Sequence, residues 1–230
     1  MRTPAHLVPY LRALLPAEPR PHAVRAPLLD LYAAADPLLA AHVHRTAHYA
    51  RLLARKLFPE NHTLVLEVEL GALLHDLGKL LLPDGLTTAP RPLTEPERRV
   101  LERHPVLALS LLESIPLPRP TLDAIAHHHE RWDGRGYPSR LAGNRIPLTA
   151  RIVALCDCFE AVTSDRPHRA ALAPRAAFAE INRSAGTQLD ALLVAEGLGL
   201  LASELAALAA WTAALCPPPT TPLLDQEVSS

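Results

Sequence analysis

Long apolar stretches, separated by short polar and proline-containing breaks, divide the chain into helices. Asp36 followed by Pro37 is a favourable helix start, because aspartate caps the first amides and proline suits the first helical position. The helix then runs through LLAAHVHRTAHYARLLARKLF until the sequence PEN at 59–61 breaks it. Residues 64–74 are mostly apolar with few β-branched side chains, which predicts a buried helix that leads into the dipeptide HD at 75–76.

The second half of the chain carries further capping and proline signals for helices. They are a capping box at Thr94-x-x-Glu97, a joint at His104-Pro105, a helix that starts at Pro120 or Thr121 and stops at the turn DGRGYP, a long buried helix in IPLTARIVALCDCFEAVTSD, and two helices near 174–184 and 188–214. The pattern predicts an all-α domain over 36–215. A proline-rich lead-in, helical or irregular, is expected at 1–35 and a disordered tail at 216–230.

Composition excludes several classes of protein. The 230 residues are 49% hydrophobic and 4% aromatic, which allows a sizeable core and favours helix over sheet. A formal net charge of −1 argues against a nucleic-acid binder with a broad basic face. No apolar segment is long enough to span a membrane, no signal peptide is seen, and three cysteines without a paired motif favour a reducing interior, so we expect a cytoplasmic protein.

Histidine and carboxylate residues gather near the predicted helix ends or in apolar context. The candidates for metal binding are His44 and His48 on one helix face, the adjacent His75 and Asp76, and His104, His128, His129 and Asp157. Imidazole and carboxylate without thiolate suit Fe, Mn, Zn or Co. These groups are too many for one tetrahedral ion, whereas two ions bridged by Asp76 would use them. Two ions about 3.5–4 Å apart hydrolyse phosphoesters, and Lys79 would steady a phosphate oxygen as charge builds.

Each of these groups taken alone has an ordinary structural explanation. The face of His44 and His48 could be exposed, and His104 before a proline could be a helix cap. Asp157 lies inside an apolar helix, where a carboxylate needs a partner, and the sequence offers either Arg151 or a metal ion. The joint occurrence of so many candidates on five helices favours the metal site.

Several of these residues also belong to longer motifs. His75-Asp76 followed by Gly78-Lys79 resembles the HD superfamily of metal-dependent phosphohydrolases, and HHERWDGRGYP at 128–138 is similar to the hallmark of its HD-GYP group. Further motifs agree in order over roughly 40–190: HxxR at His48–Arg51, HDLGKLLLPD at 75–84, HP at 104–105, IPLTARIVALCD at 146–157 and TSDRPHR at 163–169.

The resemblance implies an HD-domain helical bundle with a di- or trinuclear Fe or Mn centre in its core. It implies hydrolysis of cyclic di-GMP to pGpG, and in some members to GMP, by a metal-bridging hydroxide. The implied metal ligands are His48, His75, Asp76, His104, His128, His129 and Asp157, with His44 as an additional candidate. The implied catalytic residues are Asp76 and Lys79, and the implied substrate contacts are Lys79, Arg166, Arg169 and the loop Gly136-Tyr137-Pro138. In the family, that loop is also implicated in contacts with diguanylate cyclase domains.

Two departures from the family pattern bear on the number of metal ions and on substrate. His44 stands where members with a third ion usually carry a glutamate, so the sequence favours two ions and leaves a third open. Ala108 stands where a glycine is usual. The favoured function is an active cyclic di-GMP phosphodiesterase. The alternatives are an HD phosphohydrolase for another cyclic dinucleotide or nucleotide, and an inactive module that binds cyclic di-GMP or a cyclase.

Overall fold

A computed structural model describes residues 4–15, 19–165 and 169–215. Over these residues the chain forms ten α-helices and no β-strand, so the predicted all-α class is confirmed. The helices are α1 (Pro4–Leu14), α2 (Pro21–Ala33), α3 (Pro37–Leu57), α4 (His62–Leu74), α5 (Glu95–Leu101), α6 (His104–Leu112), α7 (Arg119–His127), α8 (Leu148–Thr163), α9 (Pro174–Ser184) and α10 (Ala191–Leu215), with short 3-10 helices at Leu77–Leu81 and Gly143–Arg145. Arg166 and the predicted tail at 216–230 lie outside the described residues.

The helices begin where the capping residues of the sequence predict. The Asp36 side chain accepts a hydrogen bond from the amide of Leu38 at 2.9 Å and caps α3. At the start of α5, the amide of Thr94 donates to the Glu97 carboxylate at 2.8 Å, which is one half of the predicted capping box. These caps satisfy amides that have no partner inside their own helix.

Helix α4 lies in the middle of the bundle and is apolar on nearly every side. It packs against α2, α3, α7 and α8. The apolar side chains between Leu70 and Leu74 are at most 2% exposed. Gly71 lets α7 approach closely, because a Cβ there would lie 2.6 Å from the Cβ of Ala124. Since α4 ends at Leu74, it delivers His75 and Asp76 directly into the interior.

The two N-terminal helices belong to the same core. Leu11 of α1 and Leu28 and Tyr32 of α2 are fully buried, and the Tyr32 hydroxyl donates to the carbonyl of Leu73 at 3.0 Å. Helix α1 packs against α6, and α2 packs against α3 and α4. The helices before Asp36 therefore pack into the same core as those that follow it.

Helix α10 closes the bundle against α3, α8 and α9. Oε1 of its Glu204 lies 2.7 Å from Nε2 of His48 on α3, and Nζ of Lys56 on α3 lies 3.8 Å from Oε2 of Glu196. Within the described ranges, no helix has both the length and the apolar character needed to cross a membrane.

Candidate metal centre

Asp76 lies at the centre of a buried cluster of histidines, directly after the end of α4. Its Oδ2 atom lies 3.4 Å from Nε2 of His42 and 3.3 Å from Nε2 of His75, and it accepts a hydrogen bond from Lys79 at 2.6 Å. Its Oδ1 atom lies 3.4 Å from Nε2 of His104. The two carboxylate oxygens thus face different histidines, as a carboxylate that bridges two metal ions would.

The cluster consists of two groups that share Asp76. We call Asp76, His104, His128 and His129 the three-histidine side, because one potential ligand atom of each lies within 4.8 Å of those of the others. We call His42, His75, Asp76 and Asp157 the His42 side. The first three of these also lie within 4.8 Å of one another, and Oδ1 of Asp157 lies 3.1 Å from Nε2 of His42.

Three of the imidazoles are held by the same local hydrogen bond. The Nδ1 atoms of His75, His104 and His128 each donate to the carbonyl oxygen three residues earlier, at 2.7, 2.8 and 3.0 Å. A carbonyl oxygen can only accept, so the proton of each neutral ring lies on Nδ1. The lone pair of each ring is then on Nε2, the atom that faces the cluster.

This arrangement leaves buried lone pairs without hydrogen-bond donors. The Nε2 atoms of His104 and His128 lie 3.2 Å apart, and neither ring has a proton left for the other. Nε2 of His75 and Oδ1 of Asp76 are buried without a hydrogen-bond partner. Buried polar atoms are normally satisfied, and cations between these atoms would satisfy all four. The donor set of imidazole nitrogens and carboxylate oxygens therefore fits divalent metal ions.

Burial keeps the three-histidine side neutral. Loss of solvation disfavours the imidazolium form and lowers the pKa of His104 to about 3 and the pKa of His129 to about 4. Burial also lowers the pKa of His128 well below its usual value, and the neighbouring His129 adds to the effect. These rings can therefore offer lone pairs at neutral pH.

Asp76 remains ionised in this buried position. Burial alone would raise its pKa, but the ammonium of Lys79 and the hydrogen bond from His42 are prominent among the neighbouring groups that together outweigh that effect. They hold the pKa of Asp76 well below its usual range. A carboxylate is therefore present at the centre of the cluster.

His42 joins the cluster although the sequence analysis did not single it out. Its Nδ1 atom meets the carboxylate of Glu160, which is completely buried, and the other oxygen of Glu160 accepts from Nε of Arg45 at 2.9 Å. Burial alone would lower the pKa of His42, but hydrogen bonds with Asp157, Asp76 and Glu160 raise it to about 10. His42 therefore lies among three carboxylates.

His48 and His44, two expected ligands, do not reach the cluster. Nε2 of His48 lies 2.7 Å from Oε1 of Glu204 on α10, and His44 is exposed. This corrects the alignment of HxxR with His48–Arg51, since the HxxR that faces Asp76 is His42–Arg45. The reason is geometric: on a helix of 3.6 residues per turn, a residue six positions further on points about 120° away.

The structure excludes Arg151, one of the two partners that the sequence offered for Asp157. Arg151 binds Asp190, with 2.6 Å between Nη1 and Oδ2. Asp157 instead meets His42. Burial alone would raise the pKa of Asp157, but hydrogen bonding and charge from His42, with smaller contributions from other neighbours, hold it well below its usual range. Asp157 therefore faces the cluster as a carboxylate.

Gly78 explains how the segment after Asp76 is held against α6. A Cβ at Gly78 would lie 1.9 Å from the carbonyl oxygen of His104 and 2.7 Å from the amide nitrogen of Ala108. Only glycine allows this approach of two backbones. The contact fixes Asp76 and Lys79 relative to His104.

The loop GYP holds His129 from the other side. A Cβ at Gly136 would lie 2.4 Å from the amide nitrogen of Arg131, so this glycine is required where the loop crosses the end of the histidine segment. The amide of Tyr137 donates to the carbonyl of His129 at 3.2 Å. The two rings stack, with centroids 4.8 Å apart at an interplanar angle of 29°. The loop thus supports His129 by stacking and by a main-chain hydrogen bond.

Glu130 secures the chain that follows this loop. Its buried carboxylate accepts hydrogen bonds from the amides of Ser139 at 2.6 Å and Leu141 at 3.0 Å. Pro138, between the stacked tyrosine and these anchors, is exposed. One face of the loop is therefore fixed to the centre while the other remains on the surface.

Two cavities open beside the cluster and meet at Ala161 of α8. One has a volume of about 310 Å³ and is lined by Arg45, Lys79 and Arg169 among others. Arg169 also donates to the carbonyl of Ala161. The second has a volume of about 350 Å³ and is lined among others by Tyr137, Asp157, His128, His129, Arg131 and Arg135. Cationic side chains therefore lie on both flanks of the centre.

A family model described as HD domain matches residues 27–193. The chain belongs to the HD domain family. The predicted HD-GYP resemblance is confirmed with it, and the HD pair is His75-Asp76.

Curated HD-domain relatives carry substrate names. The chain is 39% identical over 153 residues to the cyclic di-GMP phosphodiesterase response regulator RpfG of Xanthomonas campestris pv. campestris, a match that covers 66% of this chain and 40% of the relative. It is 35% identical over 158 residues to the 3'3'-cGAMP-specific phosphodiesterase 3 of Vibrio cholerae, covering 68% of this chain and 34% of that protein. The chain thus matches well under half the length of these relatives.

The same fold occurs in a solved HDG"Y"P protein from Bdellovibrio bacteriovorus. The TM-score is 0.60 at 17% sequence identity, and the match covers 80% of this chain and 62% of the other. At this level of identity the likeness establishes the fold of the HD helical bundle and nothing more specific.

Proposed function

We propose that the protein is a metal-dependent phosphodiesterase that hydrolyses cyclic di-GMP to pGpG, with GMP as a further product. The observation that carries the proposal is the convergence of five imidazoles, four of them from buried residues, on the carboxylate of Asp76, with Nε2 lone pairs and Oδ1 left without donors. This donor set belongs to an HD domain whose curated relatives include a cyclic di-GMP phosphodiesterase.

In this proposal two divalent ions, Fe or Mn, occupy the cluster. His42, His75, Asp76 and Asp157 would hold one, and Asp76, His104, His128 and His129 would hold the other. Bound there, the ions would supply a nucleophile from water at neutral pH and stabilise charge on the phosphoryl oxygens. With His42 as the first ligand of α3, the residue one helical turn earlier is Leu38, an exposed apolar side chain that cannot bind metal, which supports two ions rather than three.

The residues around the cluster would bind and orient the substrate. Lys79 lies at the edge of the cluster and lines the 310 Å³ cavity, where its ammonium can meet a non-bridging phosphate oxygen. Arg169 and Arg45 line the same cavity and add positive charge for a second phosphate. A cyclic dinucleotide has two nucleotide halves, and the two cavities that meet at Ala161 offer a place for each. Arg166 lies outside the described residues, and its role in binding a phosphate stays a proposal from the sequence.

Cyclic di-GMP is favoured over other cyclic dinucleotides by the names of the relatives, but a cGAMP-specific relative has similar identity. Competition decides between the substrates. We expect cyclic di-GMP to be turned over faster than 3'3'-cGAMP when both are present at equal concentration. The reverse preference would keep the enzyme class and change the substrate.

The GYP loop supports a second role as a docking surface for a diguanylate cyclase domain, as the sequence resemblance implies. Its inner face supports His129 through Tyr137, while Pro138 and the two residues after it are exposed. Arg140→Ala, at an exposed residue that follows the substrate-contact loop, should weaken capture of a purified cyclase domain without lowering turnover.

The first test is turnover of cyclic di-GMP by the full chain, purified without air and loaded with Fe(II) or Mn(II). We expect pGpG or GMP from the wild type and none from Asp76→Ala, which should also lose most of its metal because the bridge serves both ions. Glu69→Gln, a change at a buried glutamate outside the cluster, is the matched control and should remain active. Binding of cyclic di-GMP without turnover by protein containing two ions per chain would contradict the enzyme and favour a binding module.

Removal of the lysine at the edge of the cluster tests the substrate role separately from metal binding. Lys79→Ala should retain its metal and lose about 10²–10³ in kcat, as expected for loss of one charge-stabilising donor. Lys56→Ala, at an exposed lysine near Glu196, is the control and should leave kcat unchanged. Metal loss in Lys79→Ala would show that the lysine organises Asp76 rather than the substrate.

A further inference from the structure

The two sides of the metal centre differ in the groups that stand behind their imidazoles. On the three-histidine side, His104 and His128 donate Nδ1–H to main-chain carbonyl oxygens at 2.8 and 3.0 Å. On the His42 side, His75 is held by a main-chain carbonyl in the same way, but Nδ1 of His42 meets the carboxylate of Glu160, a residue with no exposed surface. A carboxylate behind an imidazole fixes the ring and makes its ligating nitrogen more basic than a carbonyl does.

The two sides also differ in the number of carboxylates. Asp76 is common to both, whereas Asp157 lies on the His42 side with its Oδ1 3.1 Å from Nε2 of His42. Lys79 donates to the shared Asp76, so its charge acts on both sides. A second carboxylate adds attraction for a dication on the His42 side, and in a buried site that attraction is large.

Glu160 is itself held in place from the opposite direction. Its Oε1 atom accepts hydrogen bonds from both Nε and Nη2 of Arg45, at 2.9 and 2.5 Å. Both donors meet the same oxygen, so they hold Oε1 in place and leave Oε2 to meet Nδ1 of His42. The ring of His42 is then oriented with Nε2 toward Asp76 and Asp157.

We propose that the two metal positions are unequal, that the His42 side takes the first ion and the three-histidine side the second, and that Glu160 is the positioning residue behind this difference. The inference rests on the proposed metal-dependent function and goes beyond it, because it assigns an order of loading and a residue that touches neither ion nor substrate. An enzyme built this way holds one ion firmly and completes its centre only when the second is supplied.

The test is a calorimetric titration of the metal-free full chain with MnCl₂. Wild type should bind two ions in two steps, the first tighter than the second. His42→Ala should retain only the weaker step and His128→Ala only the tighter one. Glu160→Gln, which keeps the shape but removes the charge, should weaken the first step about 10–100-fold and leave the second unchanged.

Two further variants separate positioning from folding. Glu69→Gln also removes a buried glutamate charge, one paired with Arg25 and facing Arg51, so it should lower stability without changing either manganese affinity. Glu160→Asp keeps the charge and withdraws it by one methylene, so it should weaken the first step less than Glu160→Gln does. Glu160→Asp carries the test if Glu160→Gln does not fold.

The outcomes distinguish failure of this proposal from failure of the proposed metal-dependent function. Two equal affinities in wild type would overturn it, as would an unchanged first step in the Glu160 variants or an equal loss in Glu69→Gln. Each of those results would leave the metal-dependent function standing. No manganese binding by folded wild type would instead overturn the proposed function itself.

Discussion

Two copies of the motif HxxR lie on α3, and they serve different parts of the molecule. In the first copy, His42 faces Asp76 and Asp157 at the metal centre, and Arg45 holds the carboxylate behind it. The first copy therefore belongs to the candidate active site.

The second copy joins α3 to its other neighbours. His48 meets Glu204 of α10, and Nε of Arg51 lies 3.9 Å from Glu69 of α4. The two copies have the same sequence pattern but different roles, because residues six positions apart on an α-helix point about 120° away from each other. A short motif has meaning only together with the helix face on which it lies.

The largest expected difference between the two copies is in metal content and turnover when the histidine of each copy is replaced. His42→Ala should lose one metal equivalent and reduce turnover by more than about 100-fold, because even a residue behind a metal ligand is worth about 10–100-fold. His48→Ala should keep both equivalents and nearly full turnover, since its imidazole lies against Glu204. Elemental analysis and product chromatography on the two variants measure both effects.

The reverse result would contradict the assignment of the first copy to the metal centre. If His48→Ala lost metal while His42→Ala kept it, the helix would have to be rotated relative to the rest of the bundle. His44→Ala serves as the control on the exposed face and should change neither metal content nor turnover.

Much of this fold could be predicted from the sequence, because its helices start and stop at local signals. Asp36 and the Thr94–Glu97 capping box lie where α3 and α5 begin. Helix α7 ends at His127, a few residues before the DGRGYP turn at 133–138. Each of these signals acts over a few residues, so no knowledge of the tertiary structure is needed.

The site was predicted in large part for a related reason. Asp76, His104, His128 and His129 lie within one cluster, as the motifs imply. Asp157 could also be predicted, because a carboxylate in an apolar helix needs a partner, and it lies beside His42 of the cluster. Buried polar residues at helix ends are visible in the sequence as exceptions to the apolar pattern.

His42 was missed although a signal for it exists. It lies on the same stripe of α3 as Thr46, Tyr49 and Leu53, spaced by four, three and four residues, and all three of these are at most 1% exposed. His48 is followed at the corresponding positions by Leu52 and Arg55, a less apolar face. Helical periodicity would therefore have chosen the first HxxR, whereas the motif alone does not.

Glu160 could not be predicted in its role. Its contact with His42 joins residues 118 positions apart, and nothing near Glu160 in the sequence points to that partner. The neighbouring Arg45 contact is equally distant in sequence. Pairings of this kind follow from how α3 and α8 pack, which local patterns do not specify.

Replacing the arginine of each copy should have a smaller effect, which we expect in the free energy of unfolding. Arg45→Ala removes two hydrogen bonds to a buried carboxylate and should cost about 1.5–3 kcal/mol of unfolding free energy, the usual range for hydrogen bonds to charged groups. Arg51→Ala should cost less than about 1 kcal/mol, because it has only a distant contact with Glu69, which also pairs with Arg25.

Urea unfolding of the metal-free proteins measures this difference. Metal-free protein is needed because bound ions stabilise the folded state and would mask a change in the chain itself. A larger loss in Arg51→Ala than in Arg45→Ala would place the more important ion pair at α4, and the proposed positioning of Glu160 by Arg45 would be wrong.

The smallest effect is expected at the contact between the second copy and α10. The side chains of His48 and Glu204 are each 28% exposed, so solvent screens the pair, and Glu204→Ala should cost about 0.2–1 kcal/mol. Metal content and turnover should not change, because Glu204 has no contact with the cluster. Thermal unfolding with parallel metal analysis tests both statements. A loss of metal in Glu204→Ala would mean that α10 holds α3 in the rotation that aims His42 at Asp76, and the two copies of HxxR would then act as one unit.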